Sequence, residues 1–304
     1  MRIALVELGG SHDECLYSQV RILKSRPDVH LTLIAHPDLK DRVNYFEGLD
    51  ATHFVSIRTR IRGVLDLFRL KEYVIEQGFE KVILNTAQGS LIGRWMRFKF
   101  PSNIQFYGTL HNISKLEGSH SQSRIHKKVK SYFVLNEYLL DKARKLAPKG
   151  LRFQTYYPIF FPDYPTVALD KGPDEIWITI PGQVEFKRRD YEGLFHSIKH
   201  HGIPPRLTFI LLGRCEHRHG DGHTVKEWVH ELGENAHVKL WDDFIDLETY
   251  FSYLKASDYI LPLIHPDDVS SEVYAHQITG AFNLAFGFKK TLLMEKSFEG
   301  YEDF

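Results

Sequence analysis

Ile180 to Phe195, IPGQVEFKRRDYEGLF, sets a glycine turn, three consecutive cations and a helix start directly after an apolar strand pattern. Gly182 lets the backbone approach a ligand closely. Lys187, Arg188 and Arg189 bring positive charge, and Asp190 caps the helix that follows. That order suits a diphosphate, and a solvated basic turn is the competing reading. ITGAFNLAFGF offers a second anion site, with Thr279 as N-cap and Gly280 exposing the first amides of a helix. A capped core helix explains its Phe282, Leu284, Ala285 and Phe286 equally well.

In GTLHNISK, His111 follows a strand pattern, where open parallel sheets direct side chains toward ligands. A histidine there orients or deprotonates a hydroxyl near neutral pH, or is merely structural. The turn LGGSHDE has the same position after the first strand, with amides at Gly9, Gly10 and Ser11 and His12 beside them. It lacks the G-x-G-x-x-G spacing, so a nicotinamide fingerprint is not supported. Ser11, His12 and Asp13 are adjacent in sequence, the wrong arrangement for a triad assembled from separate loops. CEHRHGDGH collects Cys215, His217, His219, Asp221 and His223, but its spacing matches no familiar zinc site, and no metal is expected. RTRIRGVLDLFRLK and GRWMRFKF interleave Arg58, Arg60, Arg62, Arg69, Arg94 and Arg97 with Leu65, Phe68, Trp95 and Phe98. Such a surface suits an anionic membrane face, or is simply the solvated side of a crossover helix.

These residues need a scaffold. The 304 residues are 43% hydrophobic and 26% charged, a globular composition large enough for two domains. Strands are expected at Ile3 to Val6, Leu31 to Ala35, Phe54 to Ile57, Val82 to Leu84, Gln105 to Leu110 and Tyr132 to Leu135. Helices are expected over Asp13 to Lys24 and Val64 to Gln77, the latter with Val64, Leu67, Phe68, Lys71 and Ile75 near one face. A stretch with Pro158, Pro162, Pro165 and Pro173 interrupts the alternation, giving domains 1–160 and 174–304 with a linker at 161–173. The pattern restarts with strands at Ile176 to Ile180, Leu207 to Leu212, Val238 to Leu240, Tyr259 to Leu261 and Lys290 to Met294. Helices separate them at Asp190 to His200, Thr224 to Leu232, Leu247 to Ala256 and Gly280 to Phe286. This is an α/β chain with two parallel sheets.

The net charge of zero hides an asymmetry: residues 1 to 165 carry 25 basic and 16 acidic side chains, whereas 166 to 304 carry 14 and 23. The first half is therefore the one suited to anions. Cys15 and Cys215 are the only cysteines, which suits free thiols in a reducing compartment and so a cytoplasmic protein. No secretory signal or membrane span is expected from the hydropathy pattern.

The residues resemble the GT-B glycosyltransferases, in particular the retaining family-four type of bacterial polysaccharide enzymes. PGQVEFKRRDYEGLF is similar to that family's glycine turn and donor-phosphate lysine, and FILLGR to its next strand and glycine. KLWDDF and YFSYLKASDYILPL are similar to the strand, helix and D-x-x-x-x-P run beyond, with Asp258 and Pro262 one residue closer than usual. His111 resembles the acceptor-side histidine. The family's paired glutamates are missing: Glu272 has no partner seven residues on, and Gln183 stands where arginine is common. The sequence also ends at Phe304, before a sixth strand and the returning helices of that fold, so the resemblance implies a divergent and C-terminally incomplete member.

The resemblance implies two Rossmann-like domains facing a central cleft, the first for the acceptor and the second for the donor. It further implies metal-independent hexosyl transfer, without a cofactor, from a nucleotide-diphosphate sugar to a glycan or lipid-linked glycan. Polysaccharide biosynthesis, at most peripheral attachment to the inner membrane face and no nucleic-acid partner go with it. Gly182, Lys187, Arg188, Thr279, Gly280 and Asn283 are the donor-binding candidates and His111 the catalytic one. Gly9, Gly10, Ser11 and His12 form the acceptor-side loop. The missing glutamates leave open a catalytically silent glycan- or partner-binding protein, and the shared architecture leaves open a nucleotide-sugar epimerase.

Overall fold

The computed structural model describes residues 1–216, 220–233, 237–265 and 274–298. His217, His219 and Glu272 lie outside the described residues.

The chain divides into two compact units, the first comprising Met1–Pro162 and His276–Ile278, the second Asp163–Ala275 and the residues from Thr279. In the first, β1 (Arg2–Glu7), β2 (His30–Ala35), β3 (Ala51–Phe54), β4 (Lys81–Leu84), β5 (Gln105–Thr109), β6 (Val129–Val134) and β7 (Arg152–Thr155) form one sheet. Its order is β3-β2-β1-β4-β5-β6-β7, and every pairing is parallel. Parallel strands are covered on both faces, and alternate residues of β1 serve different cores. Ile3 and Leu5 join Leu16 and Val20 of α1 (Asp13–Lys24) on one side. Ala4 and Val6 join Leu67, Leu70 and Val74 of α3 (Arg60–Glu76) on the other. Trp95, with no exposed surface, ends α4 (Gly89–Trp95) in the larger cluster. Truncating it to alanine would cost about 3–5 kcal/mol. The short helices α2 (Lys40–Val43) and α5 (His120–Ile125), with α6 (Glu137–Leu146), complete the unit.

Two expectations are corrected here. The third strand is Ala51–Phe54 and not Phe54 to Ile57, because its only partner β2 ends at Ala35. The Val55 amide makes the last bond to β2, donating to the Ala35 carbonyl at 2.9 Å, and beyond it the chain leaves the sheet, with Val55 and Ile57 packing on the core. In α3 the buried row is Gly63, Asp66, Leu67, Leu70 and Val74, so Val64 and Phe68 face outward. Gly63 and Asp66 fix this rotation. A Cβ on Gly63 would lie 2.0 Å from the Arg58 carbonyl oxygen, and the Asp66 carboxylate accepts from the Arg58 amide at 3.0 Å and its guanidinium at 2.6 and 2.9 Å.

The second unit holds β8 (Ile176–Pro181), β9 (Leu207–Arg214), β10 (Val238–Trp241), β11 (Tyr259–Ile260) and β12 (Thr291–Leu292), all parallel in the order β10-β9-β8-β11-β12. The crossover helices are α7 (Tyr191–His201), α8 (Asp221–Glu231), α9 (Leu247–Ala256) and α10 (Gly280–Gly287). Ile180, Tyr191, Phe195, Leu211 and Val225 make the core. β12 is shorter than the expected Lys290 to Met294, because β11 offers it only Tyr259 and Ile260 to pair with. No described helix is long and apolar enough to cross a membrane.

Candidate functional site

Both sheets reverse strand order once, between β1 and β4 in the first unit and between β8 and β11 in the second. Connections diverge at such a point, opening a crevice beyond the strands' carboxyl ends.

At the first switch point, Glu7 ends β1 and is 2% exposed. Its carboxylate accepts from the Gly9 amide at 2.7 Å, from Asn85 Nδ2 at 2.7 Å and from Thr86 Oγ1 at 2.5 Å. Burial nonetheless outweighs these donors and raises its pKa above the ordinary carboxylate value. Asn85, wholly buried just after β4, also donates to the His12 carbonyl at 3.0 Å and accepts from Gln19 Nε2. Gln19 donates in turn to the Tyr156 hydroxyl at 3.0 Å. The Cys15 thiol is buried beside this network and its pKa pushed well up, so it is an inert core residue.

His111 follows β5 and is 7% exposed. Its Nε2 lies 2.7 Å from the Asn85 carbonyl oxygen, so Nε2 carries the proton and Nδ1 is left as the acceptor. Burial, then the nearby His12, hold its pKa down at about 4, so the ring is neutral at pH 7. His12 stacks on it with ring centroids 3.9 Å apart. His12 is the N-cap of α1 and has a left-handed φ of 66°. Burial lowers the His12 pKa, but Glu14, with Oε1 3.4 Å from Nδ1, and the charges of Glu7 and Asp13 outweigh this and raise it. Two touching imidazoles are thus shifted in opposite directions, His12 up and His111 down. In the turn after β1, Ser11 and Gly10 are exposed, and Gly9 is half-buried against Glu7.

At the second switch point, Gly182 has φ 97°, and a Cβ there would meet Arg189 Nη2 at 2.6 Å. Gly213, at the end of β9, presses still closer: its Cβ would stand 2.1 Å from the Gly182 carbonyl oxygen. Lys187 is exposed, with no charged or hydrogen-bonding partner among the described residues. Arg188 pairs with Glu185 at 3.0 Å. The cation that the fold buries here is Arg189, 8% exposed, whose guanidinium donates to the carbonyls of Pro181 and Gln183. Asp190 caps α7 through the Gly193 amide at 2.9 Å. Thr279 caps α10, weakly accepting from the Ala281 amide at 3.4 Å, and a Cβ on Gly280 would meet nothing within 4 Å. Asn283 is 2% exposed, and its Oδ1 has no partner among the described residues. Crossover helices begin at the strands' carboxyl edge, so α10 and the turn after β8 belong to one edge of this sheet.

Sequence reasoning missed a cavity of about 240 Å³ at the ends of β11 and β12. Leu194, Leu261, Leu263, Ile264, Met294 and Phe298 line it, with Asp190 and Glu295 as the two acidic residues in a mainly apolar wall. Leu263 adopts φ 51°, a strained conformation for a leucine, while its carbonyl accepts from the Asp190 amide at 2.9 Å. Asp258 of the D-x-x-x-P run is structural: its carboxylate accepts from Lys171 Nζ and the Trp177 amide, both at 2.7 Å. Of the histidine-rich loop, Cys215 is buried, Asp221 accepts from the Phe186 amide at 3.0 Å and His223 lies 3.4 Å from Glu227.

No protein-family profile and no curated protein matches the sequence. Solved structures do match. Anabaena HepE in complex with UDP and glucose aligns over 96% of this chain and 80% of its own, with a TM-score of 0.63 and 14% identity. UDP-GlcNAc 2-epimerase from Methanocaldococcus jannaschii aligns over 99% and 87%, with a TM-score of 0.61 and 11% identity. Sucrose-phosphate synthase from Thermosynechococcus elongatus aligns over 88% and 77%, with a TM-score of 0.57 and 17% identity. The chain has the GT-B fold. Within that fold, transferases and epimerases share the two parallel sheets, so identity this low leaves the reaction to be argued from the site.

Proposed function

We propose that the chain is a nucleotide-sugar-dependent glycosyltransferase, with residues 1–160 receiving the acceptor and 174–304 the donor. The observation that carries this reading is the histidine pair at the β1/β4/β5 edge. A neutral His111 whose Nε2 is committed to Asn85 keeps Nδ1 as an acceptor for a substrate hydroxyl, and the stacked His12 shields it from bulk water. Transfer breaks the anomeric C–O bond, the electron pair leaving on the diphosphate, while the acceptor oxygen forms the new bond and passes its proton to a base. His111 orients that hydroxyl and receives its proton. Lys187, Arg188 and the helix start at Gly280, with Thr279 and Asn283 beside it, stabilise charge on the departing diphosphate. Gly182 shapes the turn that admits it. Gly9, Gly10 and Ser11 border the acceptor. The likeness to HepE, solved with UDP and glucose, supports a uridine diphosphate sugar as donor, and a glycan or lipid-linked glycan is the acceptor of this reading.

The test incubates the chain with UDP-sugars, with and without added glycans, and follows the sugar by NMR. Transfer or donor hydrolysis that His111→Ala abolishes is the expected result. An isomerised sugar would make the chain an epimerase. Binding in thermal shift with no turnover would make it a silent binder.

A further inference from the structure

One buried carboxylate at the first switch point reaches the ring of His111 through a single peptide. Glu7 is 2% exposed and has no lysine or arginine paired with it among the described residues. Its Oε1 accepts from the Gly9 amide at 2.7 Å, and its Oε2 takes both Asn85 Nδ2 at 2.7 Å and Thr86 Oγ1 at 2.5 Å. Asn85 and Thr86 are neighbours, so one oxygen anchors the side chains on either side of the peptide that joins them. The carbonyl of that peptide is the acceptor for His111 Nε2.

Backbone bonds flank this peptide. The Asn85 amide donates to the Val6 carbonyl at 2.9 Å and the Ala87 amide to the Thr109 carbonyl at 2.8 Å, so the segment passes from β1 to β5 within three residues. Between those anchors the Asn85 carbonyl accepts a ring proton instead of a strand amide, and the side chains decide how its peptide is turned. Gln88 Oε1 then accepts from the His111 and Asn112 amides, both at 3.2 Å. The run Asn85 to Gln88 therefore holds the His111 ring at one end and the His111 backbone at the other. Asn85 Nδ2 also donates to the His12 carbonyl at 3.0 Å, which brings the second imidazole under the same anchor.

We propose that Glu7 is a positioning residue: its carboxylate fixes the peptide between Asn85 and Thr86, whose carbonyl keeps the His111 proton on Nε2 and leaves Nδ1 free to accept. A neutral side chain would fill the same space without the cost of burying a charge. What the carboxylate supplies is a pair of oxygens that both accept. Glutamine cannot do this, because its Nε2 would face either the Gly9 amide or Asn85 Nδ2, a donor against a donor in both orientations. The tautomer follows from this geometry alone; its use by a base rests on the sugar-transfer reading.

The experiment is long-range proton–nitrogen NMR of the full chain carrying nitrogen-15 in its histidines. At pH 7 the wild type should show His111 as a single Nε2–H tautomer. Glu7→Gln is expected to give a mixture of both tautomers, with a ring proton that exchanges with water roughly tenfold faster as its hydrogen bond loosens. Thr86→Val removes one anchor with little change of shape and should move the populations the same way by less, whereas Thr86→Ser, which restores the hydroxyl, should keep the wild-type spectrum. Unmoved resonances of His53, in β3 at the edge of the sheet, establish that each variant is folded; should Glu7→Gln not fold, Thr86→Val carries the test. An Nδ1–H tautomer in the wild type overturns the proposal, as does a pure Nε2–H tautomer in the folded variants. Thr86→Val leaves the Gly9 bond intact, so with a UDP-sugar and acceptor its kcat should fall roughly tenfold while KM stays within about twofold. A shifted tautomer with unchanged kcat would also overturn the positioning role. A wild type that turns nothing over counts against the sugar-transfer reading alone, because the tautomer is read without substrate.

Discussion

The imidazoles of His12 and His111 stack with their planes 21° from parallel, and a proton on His12 opposes one on His111, although Glu14 alone would favour it. Glu14, Glu7 and Asp13 favour a proton on His12, whose charge then helps to depress His111. Burial is the larger influence on His111, and it acts in the same direction.

This pair makes stability depend on pH. His111 titrates near 4 when folded and near 6.5 when unfolded, so its contribution is complete above pH 6.5 and is lost as pH falls toward 4. The loss is on the order of 3 kcal/mol. His111→Gln keeps a donor for the Asn85 carbonyl but cannot titrate. Urea unfolding at pH 7 and pH 4.5 should show a larger drop for the wild type than for the variant; equal drops would contradict the assignment.

Removing the partner should be felt through the stack. His12→Ala takes away a neighbouring charge and uncovers the ring, and both effects raise the His111 pKa toward its ordinary value. Proton NMR of the His111 ring through a pH titration reads this directly. No movement would mean that the two rings are uncoupled.

Glycines at the second switch point should respond unequally. Gly213→Ala forces a Cβ onto the Gly182 carbonyl and is expected to destabilise the fold by about 2 kcal/mol or more. Gly280→Ala meets open space and should stabilise the free protein by roughly 0.4–1 kcal/mol. Thermal melts compare the two. If the amides at Gly280 bind diphosphate, the same alanine weakens the melting shift that a UDP-sugar produces.

The cations of the turn should separate by role. Arg189→Met leaves the Pro181 and Gln183 carbonyls without their donor and should cost about 1–3 kcal/mol. Lys187→Ala, on an exposed side chain, should stay within about 0.5 kcal/mol in the free protein yet reduce UDP-sugar affinity, measured by calorimetry. Unchanged affinity would remove Lys187 from the donor site.

Much of the scaffold was legible because burial on both faces writes continuous apolar runs into parallel strands, as in Ile3 to Val6 and Leu31 to Ala35. Helices α1 and α9 were found end to end, since acidic residues begin them and their apolar period is clean. Strand β7, RFQT, was missed: it is a polar edge strand with little to distinguish it from a loop. Helix α6 was also missed, although Asn136 is a recognisable cap that accepts from the Leu139 amide at 2.8 Å. At the sites, glycine turns and histidines showed their positions but not their partners. Lys187 and Arg189 read alike in the run KRR, and only the close approach of Gly182 distinguishes the exposed cation from the buried one. Glu7 drew no notice as the last residue of a strand, because its significance lies in Asn85 and Thr86, far along the chain.

His276–Ile278, late in the chain, belongs to the first unit. There the Ile113 amide donates to the His276 carbonyl at 2.9 Å, Asn112 Nδ2 donates to Gln277 Oε1 at 3.3 Å, and Ile278 packs on the core. During synthesis, the amino-terminal half therefore leaves the ribosome with an amide waiting for an acceptor that has yet to be translated. Its maturation is tied to the arrival of the other half, and a fragment cut at the proline-rich segment would lack the peptide that completes it.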